Sequence, residues 1–299
     1  MSILKTVTPV THDLGSFEVR RAVPSREARM VGPFVFIDQF GPAALDLGTG
    51  MDVRPHPHIG LATVTWLFDG PYAGAIEHRD SIGSFSTIRP GTVNLMTAGS
   101  GIVHSERSPQ EERANGASLF GMQTWLALPD GQEEIAPAFE AVSDLPVIED
   151  GGAKATVIMG ELWGQRAETT LHAQTIYAEI ALSAGGSIPV DAGADERAVM
   201  LVEGEATLDG TPIGLYDLIV LAPGAAMMLA SASGGRLMLM GGEDFPTKRH
   251  VWWNFVSSDR ERINQAKEDW REGRFAKVPG DEDEFIPLPE GQPKTVSYP

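Results

Sequence analysis

The sequence predicts an all-β protein of two tandem barrels followed by a short C-terminal helix, and three observations predict it. The dominant pattern is short apolar runs bounded by Gly, Pro, Asp or Asn, as at 62–68, 92–97, 198–202, 217–221 and 236–240. Runs of this length and spacing favour strands of a sandwich or barrel. Helical periodicity is nearly absent before residue 255. The turn punctuation also recurs. WLFDG at 66–70 is followed by RPG at 89–91, and LVEG at 201–204 by APG at 222–224. Strand, acidic-Gly turn, hairpin, Pro-Gly turn and strand in the same order twice is the pattern of a duplicated small barrel.

The 299 residues suffice for two domains, each with its own core. We place the first barrel at residues 1–135 and the second at residues 136–299, which takes the helix with it. The stretch 129–152 mixes Pro, Gly and acidic residues and reads as the connection between them. The helix begins near Ser258, where Ser258 and Glu261 fit a capping box. Ile263, Ala266 and Trp270 then share one face, and Gly273 supplies a stop. The acidic run 281–284 reads as a solvated loop.

Composition narrows the function. The chain is 42% hydrophobic and 21% charged, as a globular protein is. A net charge of −18 repels phosphate backbones and anionic lipid, so neither nucleic acid nor a membrane surface is an expected partner. The N-terminus has no basic segment followed by a long apolar run, and no stretch is long and apolar enough to span a bilayer. A cytoplasmic location is the expectation. There is no cysteine, so a metal site has to be built from His and carboxylate.

Two histidines form His56-Pro57-His58. Residues two apart on a strand point to one face, so both imidazoles can reach one point. His104 and Glu106 have the same spacing. If the two strands are neighbours, three imidazoles and one carboxylate converge, a donor set suited to a divalent first-row ion with open positions. Counting by twos from His58 puts Ala62, Val64, Trp66 and Phe68 on the ligand side, provided no bulge intervenes. An apolar wall beside an ion is the usual make-up of a small-molecule pocket. Gln123, on a later apolar run, can face the same space, and His78, two residues before Asp80, can orient a ligand from behind.

These residues carry a family resemblance. Gly50, His56 and His58, then an apolar strand and Gly70, resemble the first cupin motif, and Gly91 with TAGSGIVHSE at 97–106 resembles the second. HPHIGLATVTWLFDG, EHRDS and TAGSGIVHSE together resemble the pirin family, as do GMQTWLALP at 121–129, RHVWWNFVSS at 249–258 and FIPLP at 285–289. The resemblance implies two cupin barrels of the double-stranded β-helix (jelly-roll) kind, with metal in the N-terminal one. It implies His56, His58, His104 and Glu106 as ligands and iron as the metal. Other divalent first-row ions fit the same donors. It further implies an activity similar to quercetin 2,3-dioxygenase, with an aromatic small molecule and dioxygen as substrates. Glu106, as a carboxylate beside the ion, is the candidate catalytic group that accepts the substrate proton. The alternative is a non-enzymatic, iron-dependent redox sensor that regulates a protein partner. One departure stands out. Many pirins carry Glu where this chain has Ala62, which leaves the inner pocket less acidic.

Overall fold

The computed structural model describes residues 2–14, 17–291 and 296–297. Nearly all regular structure in it is β-strand, with two helices, Gln110–Asn115 and Arg260–Arg271. None of the described helices is long and apolar enough to cross a membrane.

By packing, the chain divides into two compact units. One comprises Met1–His12, Arg20–Gln39 and Asp144–Phe245, the other Asp13–Val19, Phe40–Ser143 and Pro246–Pro299. In the first unit a seven-stranded antiparallel sheet runs in the order Ile3–Val7, Leu218–Leu221, Glu196–Gly204, Gly235–Gly242, Thr175–Leu182, Ala153–Met159, Val147–Asp150. A four-stranded sheet that includes Ser187–Val190 and Met227–Ala230 lies against it. Between them is one apolar core: Ile180, Val199, Leu201, Leu237 and Leu239 from the large sheet meet Ile188, Val190 and Leu229 from the small one. These residues alternate along their strands, as the inward face of a sandwich requires.

The second unit repeats the plan. Its four-stranded sheet has the order Asp52–His58, Ile102–Arg107, Ile76–Asp80, Phe85–Ile88. The opposing sheet contains, in order, Ala138–Val142, Val93–Thr97, Leu61–Leu67, Ser118–Ala127 and the 40–44 end of Phe34–Ala44. Ile76 and Ile88 of the small sheet pack with Leu67, Leu119 and Phe40 of the large one.

The observed division departs from a cut at residue 135/136. Ile3–Val7 pairs with Leu218–Leu221, so the N-terminal strand joins the first unit. The C-terminal helix joins the second: Ile263 and Ala266 are buried with Ile59, Trp252 and Phe255 in one cluster, with Trp270 against it. Ile59 directly follows His58, so the helix stands behind the strand that carries the first two histidines. The stretch 129–152 is also not a bare connection, because Ala138–Val142 pairs with Val93–Thr97 and Val147–Asp150 pairs with Ala153–Met159.

The helix cap shifts by one residue. Asp259 is the N-cap and its side chain accepts from the Glu261 amide, while the Ser258 amide and hydroxyl both donate to Glu133. An acidic partner within reach captured the serine. Gly273 follows the helix end at φ +67°, as a helix stop should. The acidic run is also not simply solvated, because Arg107 is bonded to both Asp281 and Glu284.

Candidate metal centre

The register between two strands builds the centre. Asp52–His58 pairs antiparallel with Ile102–Arg107, setting His56 opposite His104 and His58 opposite Ile102. Directly opposed residues share a face, and so do residues two apart. His56, His58 and His104 therefore converge. All three are buried, and one ring nitrogen of each lies within 4.8 Å of the others. His58 Nε2 and His104 Nε2 are 3.1 Å apart.

Glu106 stays on that face. Against Ile76–Asp80 the pairing is regular, with His104 opposite Asp80 and Glu106 opposite His78. Against Asp52–His58 it slips, because Glu106 lies opposite Val53 and the facing strand has one residue more in between, a bulge at Arg54 and Pro55. The Glu106 carboxyl is buried but does not belong to the 4.8 Å set of imidazoles. Its Oε1 lies 3.5 Å from the Thr65 hydroxyl, which also donates to Gln123 Oε1 at 2.8 Å.

The electrostatics favour neutral rings. Burial drives His56 down to about 4, although a hydrogen bond to the Arg54 carbonyl opposes the shift. Burial and the neighbouring imidazoles hold His58 and His104 well below the usual histidine range. Burial raises Glu106, with His78 and Thr65 pulling the other way. A metal needs deprotonated donors, and a buried cluster of neutral imidazoles supplies them.

The residues fit a metal. His56 Nδ1 lies 2.8 Å from the Arg54 carbonyl, so Nδ1–H donates and the Nε2 lone pair is left for an ion. Two nitrogens bound at about 2.1 Å and at right angles around one ion are separated by about 3 Å. The His58–His104 separation has that value. Three imidazoles with a carboxylate close by are a donor set for first-row divalent ions.

The pocket wall needs a correction. Val64 and Trp66 do not face the ligands. Gly60, at φ +67°, turns the chain between Asp52–His58 and Leu61–Leu67, and these strands lie in different sheets. A Cβ at residue 60 would stand 1.9 Å from the Val256 carbonyl oxygen, so only glycine makes this turn. Counting by twos does not survive it. Thr65 reaches Glu106, and Leu67 lies in the core between the sheets, so the inward set is the odd-numbered one. Ala62, Val64 and Trp66 are buried on the other face, and the inference of a less acidic inner pocket from Ala62 falls with them. Gln123 does stand at the site, through Thr65. Trp125, two residues further along the same strand, sets its ring edge-on to His58 at 5.0 Å. Thr65 and Trp125 were missed. The alternation from Gln123 could have found Trp125, whereas Thr65 required the turn at Gly60.

His78 is buried, with its ring between His104 and Asp80 and stacked on Phe139. A cavity of about 630 Å³, lined in part by Trp270, Phe275, Phe285 and Leu288, touches this region through Pro55 and Val103. Those two alternate with the histidines, so the cavity lies on the other face of their strands.

Comparison with known proteins agrees with this architecture. Residues 16–126 match the pirin family, and residues 177–276 match the pirin C-terminal cupin domain. A pirin-like protein of Caulobacter vibrioides is 45% identical over 93% of this chain and 96% of its own length. The crystal structure of quercetin 2,3-dioxygenase from Acinetobacter baumannii superposes with a TM-score of 0.90 at 32% identity, covering 99% of this chain and 98% of that one. A bacterial pirin from Escherichia coli, solved in complex with nickel(II), shares the fold at a TM-score of 0.62 and 19% identity, over 80% of this chain and 98% of its own. The chain belongs to the pirin family.

Proposed function

We propose that this chain is an iron(II)-dependent dioxygenase acting on a flavonol or a similar polyphenol. The observation that carries the reading is the convergence of three buried imidazoles, held neutral by their surroundings, next to one buried carboxyl. The likeness to a solved quercetin 2,3-dioxygenase over nearly the whole chain supports the substrate class.

In this reading His56, His58 and His104 hold the ion through Nε2, and Glu106 completes the set. When bound, the ion supplies an electrophilic centre that acidifies a coordinated hydroxyl and couples an electron-rich substrate to dioxygen. The remaining work falls to the chain. Glu106 accepts the substrate hydroxyl proton on its carboxylate, and its raised pKa suits that role. Thr65 orients the carboxyl, and Gln123 fixes Thr65. Trp125 packs on His58 and limits how far that ring can turn. Burial of all four metal-facing side chains keeps water from the reacting atoms.

The test is oxygen uptake by protein loaded anaerobically with iron(II), on a panel of flavonols, beside His104→Ala. Turnover in the parent and none in the variant supports the proposal. A fully loaded parent that consumes no oxygen on any flavonol favours instead the redox-sensing binding protein.

A further inference from the structure

We propose that the cavity of about 630 Å³ on the outer face of the histidine strands is a second ligand site, built to take a free organic ammonium ion with an apolar body, such as a quaternary or alkylated amine. The proposal stands apart from the metal reading, because the cavity walls contain none of the four metal-facing side chains.

The walls come from two parts of the second unit. Pro55 and Val103, which alternate with the histidines, form one side. The chain from Trp270 to Leu288 forms the other. Beyond the helix end at Arg271 this stretch contains no helix or strand, yet it is held in place. The Ile286 amide donates to the Pro55 carbonyl at 2.8 Å, and the Trp270 indole N–H donates to the Ile286 carbonyl at 3.0 Å. Arg107, from the histidine sheet, donates to Asp281 and Glu284. A long irregular stretch in a compact domain is uncommon unless it serves a function. Here the chain is pinned at residues 281, 284 and 286 around a volume that a small molecule fills.

The aromatic lining selects a cation. The Phe275 ring stands at 78° to the Trp270 indole with centroids 5.8 Å apart, and the Phe285 ring at 85° and 5.7 Å. Rings at right angles aim their π faces in different directions, so a cation in the corner between them meets more than one negative face. Phe285 is 57% exposed, which leaves that ring open to an incoming ligand.

Charge points the same way. Four carboxylates line the cavity, Asp281 to Glu284, against the two cations Arg271 and Lys277. Arg271 is paired with Glu268. Arg107 pairs with Asp281 and Glu284 and is itself shared with Asp52. Glu282 and Asp283 are exposed and have no ion-pair partner among the described residues. On a chain of net charge −18 such a rim attracts a cation and repels an anion. Lys277, exposed and likewise unpaired among the described residues, opposes that field.

Titration of the purified protein with benzyltrimethylammonium tests this. Binding is followed by isothermal calorimetry and by the Trp270 indole N–H resonance, which its loss in Trp270→Phe assigns. Saturable binding, millimolar or tighter, that moves this resonance is the expected result. Phe285→Leu keeps apolar bulk but removes a π face, and should weaken the cation by about 3- to 5-fold. The double variant Glu282→Gln/Asp283→Asn should weaken it by about 2- to 5-fold, and Lys277→Gln should tighten it by about 2-fold. All four of these side chains are exposed, so the substitutions spare the core. No saturation up to about 10 mM, an unmoved Trp270 resonance, or parental affinity in Phe285→Leu overturns the site. Tighter binding of phenylacetate or benzyl alcohol than of the cation, or a loss of affinity in Lys277→Gln, overturns the charge assigned to the ligand.

Discussion

Nε2 of His58 and Nε2 of His104 face each other 3.1 Å apart inside the barrel of the second unit, on strands joined by antiparallel pairing. Two bare lone pairs repel at that distance, so the pair needs a proton or a cation between them. A metal ion resolves the conflict for all three imidazoles at once. His104→Ala should leave less than a tenth of the parental metal in protein purified from metal-supplemented medium. Elemental analysis of both proteins, normalised to chain concentration, checks this.

Glu106 differs in kind from the histidines, because its carboxyl stands beside Thr65 and outside the imidazole set. Glu106→Gln should retain more metal than His104→Ala but lose oxygen uptake by about 100-fold or more, the usual cost of removing a proton acceptor. Steady-state uptake at matched metal occupancy measures it, and uptake equal to the parent's would remove Glu106 from the chemistry.

The metal-free protein should weaken as pH falls. His56 titrates at about 4 when folded, against an ordinary 6.5, and His58 and His104 are lowered too. Below pH 6.5 the unfolded chain takes up protons that the folded one refuses, so unfolding is favoured increasingly as pH falls toward 4. His56 alone accounts for on the order of 3 kcal/mol across that window. Urea unfolding at pH 7.5, 6.0 and 5.0 should show the loss, and saturating metal should offset it at the upper two values.

The C-terminal helix braces the centre from behind. Ile263 is 1% exposed in a cluster with Ile59, the residue after His58. Ile263→Ala should destabilise the chain by about 2–4 kcal/mol through lost burial and a cavity. Denaturant midpoints read that cost, and a change below about 0.5 kcal/mol would mean that the helix is not structurally coupled to the barrel.

The sequence by itself determined the strand-rich double barrel, the helix face of Ile263, Ala266 and Trp270, and the three histidines. It did so because strand alternation and helical periodicity are local rules, and the bulge at Arg54 and Pro55 falls outside the His56–His58 and 102–104 stretches that carry the histidines. Only the tertiary structure decided the rest. It paired Ile3–Val7 with Leu218–Leu221 within the first unit, a contact more than two hundred residues apart. It exchanged Val64 and Trp66 for Thr65, because the glycine turn at residue 60 reset which parity faces inward. It placed His78 and Asp80 behind His104 by the register of a third strand. Which residues oppose one another across strands follows from cross-strand register and from bends between sheets, and neither is a property of any short stretch of sequence.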